Sequence, residues 1–183
     1  GVDDLIDGYA ASTAPGTHRL VIAGDGPEAG MLRAHAAASP VADRVLFLDD
    51  VSDDEKPHLM AGASAYVLPS KPRPEFVETF GIALVEKMLS GGGPVVTTET
   101  GATPEAVAHT APIVPVHDPA AIAAAIAPAL ALDPPDRTPR AAPARELPLP
   151  FAPAWLRATI LVAVAVLSPA RPCTRARQLR HRL

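Results

Sequence analysis

The sequence predicts an α/β protein: a doubly wound, mostly parallel sheet followed by an irregular, proline-rich C-terminal end. Three observations carry this. From residue 5 to 132, short apolar runs alternate with helix-length patterns, as strands and crossover helices of a parallel sheet do. The helical patterns open with helix-start chemistry, as at Thr103-Pro104-Glu105 and Asp118-Pro119. From residue 133 that alternation stops, and nine prolines fall between 134 and 172. Each proline inside a helix costs about 3 kcal/mol, so no long helix runs through them.

In chain order, RLVIAGDG (19–26) reads as a buried strand ending in a glycine turn. PEAGMLRAHAAA (27–38) is a helix with proline in its first turn. VLFLDDV (45–51) is a strand, and DDEKPHLMAGA (53–63) a helix with acids early, where the helix dipole favours them. AYVLPS (65–70) is a strand, GIALVEKMLS (81–90) a helix and PVVTTE (94–99) a strand. Thr103 as N-cap starts another helix, PIVPV (112–116) is a short strand, and Asp118 caps the helix AAIAAAIAPAL. Strands are expected at 19–23, 45–48, 65–68, 94–98 and 112–116. Beyond 132, irregular structure is expected, partly disordered or with one helix near 154–167. TILVAVAVL (159–167) is too short to span a bilayer and suits a buried helix or strand.

The 183 residues suffice for one domain with its own core. Aromatic residues are only 4%, so that core must be built from Ala, Val, Leu and Ile. Residues 1–132 carry 17 acids against 7 Lys or Arg, whereas residues 133–183 carry 9 Arg against 3 acids. An acidic body argues against nucleic-acid binding, which needs a basic face. Cys173 is the single cysteine, which excludes an intrachain disulfide and fits a reducing, cytoplasmic setting. The histidines lack mutual metal-ligand spacing, and no metal is expected.

In open α/β sheets ligands sit outside the carboxyl ends of the strands, so the informative residues should follow Ala23, Leu48, Leu68 and Thr97. Gly24-Asp25-Gly26-Pro27 joins a strand to a helix. It either lets a ligand approach the backbone or simply makes a tight turn. ETFGIALVE (78–86) places two glutamates around a helix start. The N–H groups of Phe80, Gly81 and Ile82 would leave that helix N-terminus, where an anion is stabilised. Glu86 lies one turn in and leans back toward the same end. A diphosphate between two sets of hydroxyls would fit, as in a nucleotide sugar; two solvated glutamates flanking an ordinary helix start would also fit. Lys71 and Arg73 precede Glu78 in the loop; they either partly meet the phosphates or, the preferred reading, are solvated loop charges.

The E-x7-E spacing with F-G-I inside it resembles the retaining GT-B glycosyltransferases of family 4. The resemblance extends through LVIAGDGPE (20–28), VLFLDDVSDDE (45–55), YVLPS (66–70), ETFGIALVEKM (78–88), GPVVTTETGATPE (93–105) and VPVHDPAAIAAAI (114–126), in that order. It implies that residues 1–132 are the Rossmann-like, donor-binding half of a GT-B fold, with 133–183 a Pro/Arg-rich tail. Glu78 would be the catalytic carboxylate, holding hydroxyls of the donor sugar. Glu86 would hold the ribose hydroxyls, and the amides of Phe80, Gly81 and Ile82 would face sugar and diphosphate. The turn with Gly24 and Gly26 and the backbone near Val51 would complete the donor site.

The implied activity is hexosyl transfer, with retention, from a nucleoside-diphosphate sugar to an acceptor hydroxyl. The nucleotide sugar is the substrate, and no cofactor is implied. The family's first strand, an Arg, a Lys and the N-terminal acceptor domain would precede a glycine like Gly1. The given chain is therefore expected to be an inactive fragment whose acceptor is unknown. The rival expectations are a non-catalytic nucleotide-sugar-binding remnant and another GT-B-fold enzyme, such as a sugar-nucleotide epimerase.

Overall fold

The structure, a computed structural model, describes residues 1–74, 77–108, 110–131 and 163–167. Five strands follow one another with helices between them: β1 (Arg19–Ala23), β2 (Val45–Leu48), β3 (Ala65–Leu68), β4 (Val95–Thr98) and β5 (Ile113–Val114). These are the five expected strands, with the last two trimmed at their ends. The helices are α1 (Val2–Ala11), α2 (Ala29–Ala38), α3 (Glu55–Gly62), α4 (Ile82–Ser90), α5 (Thr103–Ala106) and α6 (Pro119–Leu130). The sequence patterns do not delimit α1.

Strand β6 (Ala163–Leu167) sits inside the sheet, whose order is β2-β1-β6-β3-β4-β5. β1 pairs parallel with β2, β3 with β4, and β4 with β5. β6 runs antiparallel to both neighbours, with Val21 opposite Ala165 and Tyr66 opposite Ala165 on the other side. β1 and β3 therefore point the same way, and the sheet is mostly parallel as expected. The helix expected near 154–167 is not what residues 163–167 form. AVAVL alternates small and β-branched residues and adopts the strand option instead. The rest of that expectation lies outside the described residues.

Alternation along the strands explains the double winding. Leu20, Ile22, Val67, Val96 and Val114 face a core shared with Leu5, Ile6 and Tyr9 of α1, Ala36 of α2, and Ile122 and Ile126 of α6. Their neighbours Ala23, Tyr66, Leu68 and Val95 face the other core, with Met60 of α3, and Leu84, Val85 and Met88 of α4. Burying a Leu, Ile, Val or Met side chain is worth about 1.5–3 kcal/mol, so these two aliphatic layers are the main stabilising term.

Local chemistry sets the helix starts. Asp118 Oδ1 accepts the Ala121 N–H at 2.8 Å and Pro119 follows, as the sequence predicts. Thr103 does not cap as expected: it is the first residue of α5. Its hydroxyl donates toward the carbonyls of Thr98 (2.5 Å) and Thr100 (2.7 Å), closing the turn after β4 instead.

Lys87, in the last turns of α4, is 1% exposed. Its Nζ donates to Met60 O at 2.8 Å and to Gly91 O, tying α4 to α3 and to its own C-terminal loop. Burial lowers its pKa from an ordinary 10.5 to about 8. Between those values the unfolded chain binds more protons, so stability rises with pH. The penalty is fully present below pH 8 and is relieved toward pH 10.5. From pH 7.5 to 10.5 the wild type should gain on the order of 2–3 kcal/mol relative to Lys87→Met. Urea titrations of both proteins across this range check it; a constant difference would mean that the ammonium is not desolvated.

Candidate functional site

Because β1 to β5 point one way, the loops that follow them leave the sheet at one edge. The turn after β1 is pinned there by Gly24 N–H donating to Leu48 O at 2.9 Å. Within it, Asp25 Oδ1 accepts the Gly26 N–H at 2.8 Å. Arg73, in the loop after β3, pairs with Glu28 just beyond this turn. Val51, after β2, packs half-buried against the core beneath α4. The Gly24 and Gly26 turn, Val51 and the approach to α4 thus share the edge that the sequence predicts.

Glu78 lies in the segment leading into α4. Its Oε1 accepts the Gly81 N–H at 2.9 Å and the Phe80 N–H at 3.3 Å. Two of the amides expected to face an anion are therefore engaged by the protein's own carboxylate. The cause is electrostatic: the first N–H groups of a helix have no intrahelical acceptor, and the dipole draws the nearest negative group. The backbone of Glu78 is held in turn, its carbonyl accepting the Ala102 N–H at 2.9 Å from the loop after β4. Ile82 opens the helix itself, while Phe80 stands 56% exposed at its mouth.

Glu86 sits one turn into α4, half-buried. Lys56 of α3 reaches across and donates to Glu86 Oε1 at 3.1 Å. Tyr66 of β3 feels the same charge. Its hydroxyl is fully buried and has no hydrogen-bond partner among the described residues. Its pKa is pushed up by burial first and by Glu86 second. Carboxylate and ammonium thus meet between α4 and α3.

Of the two loop cations, Lys71 is not the solvated charge expected, whereas Arg73, 55% exposed, is. Lys71 is 14% exposed and binds Asp3 at 2.7 Å and Asp4 at 2.9 Å in the first turn of α1. Burial acts to raise the Asp3 pKa, but the hydrogen bond and charge of Lys71 act against it and hold that carboxyl below its ordinary value. Arg73 is taken by Glu28. Asp49, two residues before Val51, binds Arg33, whose guanidinium lies 4.5 Å from the Phe47 ring centroid. Among the described residues, no three His, Cys, Asp or Glu side chains gather as a metal would require. No helix among them is long and apolar enough to cross a membrane.

Sequence reasoning did not find Lys56 or Tyr66. Lys56 reaches Glu86 through tertiary packing from 30 positions away, and Tyr66, although it opens YVLPS, was given no role. Gly101, whose loop holds the Glu78 backbone, lies in the GPVVTTETGATPE stretch but was given no role.

Residues 1–145 match the family model described as glycosyl transferases group 1. A 91-residue stretch is 36% identical to a GDP-mannose-dependent alpha-(1-6)-phosphatidylinositol monomannoside mannosyltransferase of Mycobacterium tuberculosis, covering 49% of this chain and 24% of that protein. A 108-residue stretch is 31% identical to an N-acetyl-alpha-D-glucosaminyl L-malate synthase of Bacillus anthracis, covering 59% of this chain and 26% of that one. In three dimensions the chain resembles the crystal structure of Anabaena HepE in complex with UDP-glucose. The TM-score is 0.65 and the identity 26%, over 79% of this chain and 39% of HepE. The matched region thus spans about a quarter of these two relatives' length and 39% of the structural neighbour.

Proposed function

Because the chain belongs to the glycosyl transferases group 1 family, we propose that residues 1–132 bind the nucleoside-diphosphate-sugar donor of a sugar transfer to an acceptor hydroxyl. The observation that carries this is the start of α4. A helix N-terminus at the carboxyl edge of the sheet has one carboxylate just before it and another one turn in. The helix end favours the diphosphate. Glu78 accepts hydrogen bonds from the sugar hydroxyls through Oε2, which has no partner among the described residues. Glu86 accepts them from the ribose.

Such a site works by holding the donor in line and stabilising the departing diphosphate, without a protein nucleophile in this part of the chain. The finer proposal is a family 4, GT-B, retaining hexosyltransferase of the cytoplasm. On it, the donor-binding residues act together with an acceptor-binding half, and the 183-residue chain does not transfer sugar unaided.

The test is calorimetric titration with UDP and GDP, the nucleotides of the donors in the relatives' names and the neighbour's title. Glu86→Gln keeps the shape but removes the charge, and should weaken binding by about 1–3 kcal/mol. Binding of neither nucleotide, or equal affinity in the variant, would sink the assignment.

A further inference from the structure

The pair formed by Lys56 and Glu86 has a consequence for what the site selects. Lys56 Nζ occupies Glu86 Oε1, both side chains being half-buried at 22% and 32% exposure. Among the described residues Glu86 Oε2 has no partner. A carboxylate on a flexible glutamate stem could otherwise swing toward solvent, and fixing one oxygen fixes the direction in which the other accepts.

We propose that Lys56 is a positioning residue for ribose recognition: by holding Oε1 it aims Oε2 of Glu86 at a ribose hydroxyl. Lys56 touches no donor atom in this arrangement and acts through Glu86. Its charge serves a second end. Residues 1–132 carry a large excess of acids, and Lys71 and Arg73 are engaged by Asp3, Asp4 and Glu28. Lys56 offsets the repulsion between Glu86 and an incoming diphosphate. The inference rests on the donor reading above, in which Glu86 meets the ribose.

The experiment compares the full chain with Lys56→Met, Lys56→Arg and Glu86→Gln. Each is titrated with UDP and GDP and with their 2′-deoxy and 3′-deoxy counterparts. In the wild type, loss of the recognised hydroxyl should weaken binding about tenfold or more, the effect of one hydrogen bond to a charged group. Lys56→Met should bring that preference to about one, and Lys56→Arg, which still donates to Oε1, should retain it. A general loss of fold would weaken ribo and deoxy ligands alike and would not move their ratio. Lys56→Gln supplies the same comparison should the methionine variant not fold. If Glu86→Gln abolishes the preference while Lys56→Met preserves it, the role of Lys56 is overturned and the donor reading stands. If Glu86→Gln itself leaves the preference intact, the ribose assignment fails first. Tighter ribonucleotide binding by Lys56→Met would make Lys56 a competitor for Glu86, and would equally overturn the proposal.

Discussion

Replacing Gly93 by alanine should cost about 3–5 kcal/mol of folding stability, at the upper end for a single substitution. Gly93 lies between α4 and β4, and its N–H donates to Ala63 O at 2.8 Å. A Cβ there would stand 1.8 Å from Ser64 O and 2.2 Å from its carbonyl carbon. Both are backbone atoms, so no rotamer relieves the overlap. Moving the backbone instead pulls on β3, because Tyr66 N–H donates to Pro94 O one residue on, at 2.9 Å. A domain with 5–15 kcal/mol in hand would lose a large part of it. Gly30, exposed in α2 with open space around its Cβ position, is the control. Alanine there should stabilise by about 0.5–1 kcal/mol. Urea midpoints for the two variants test the pair of expectations. An unchanged midpoint for Gly93→Ala would show that the approach of the two segments is looser than described.

Gly101→Ala should act on the site as well as on the fold. Gly101 has φ +52°, where alanine costs about 1–2 kcal/mol. Its Cβ would lie 1.9 Å from Glu78 O, the carbonyl that accepts the Ala102 N–H. The segment bearing Glu78 must therefore move, and the carboxylate loses its alignment with the Phe80 and Gly81 amides. We expect a stability loss of about 2–4 kcal/mol and at least about a tenfold loss of affinity for UDP or GDP. Thermal melts and calorimetric titration on one preparation separate the two effects. Full affinity in a destabilised protein would remove Glu78 from the donor site.

Much of the fold was legible because its strands are continuous apolar runs. VIA, YVL and VVTT lie in a sheet covered on both faces, where no solvent side interrupts the pattern. Asp118-Pro119 marked its helix because that chemistry is local. Residues 163–167 were ambiguous because a short apolar run fits a helix or a strand, and its place between β1 and β3 is decided by partners far away in sequence. In the site, the glutamates and glycines of 24–26 and 78–86 were readable from spacing around a helix start. The occupation of the Phe80 and Gly81 amides by Glu78 was not, since it depends on a loop conformation. The pairing of Lys56 with Glu86, and that of Lys71 with Asp3 and Asp4, depend on which helices become neighbours.

The antiparallel position of β6 bears on the order of folding. Among the described residues β1 and β3 do not pair with each other, and only β6 joins the two parts of the sheet by backbone hydrogen bonds. Its register sets Arg19 against Leu167, so that ladder closes across most of the chain. During synthesis at about 5–20 residues per second, β1 with β2, and β3 with β4 and β5, emerge well before their shared strand. Their facing edges stay unpaired for several seconds, open to strands from other nascent chains. Closure then carries the slow kinetics of non-local pairing. Of the described strands, the one inside this sheet that joins its two parts is made last.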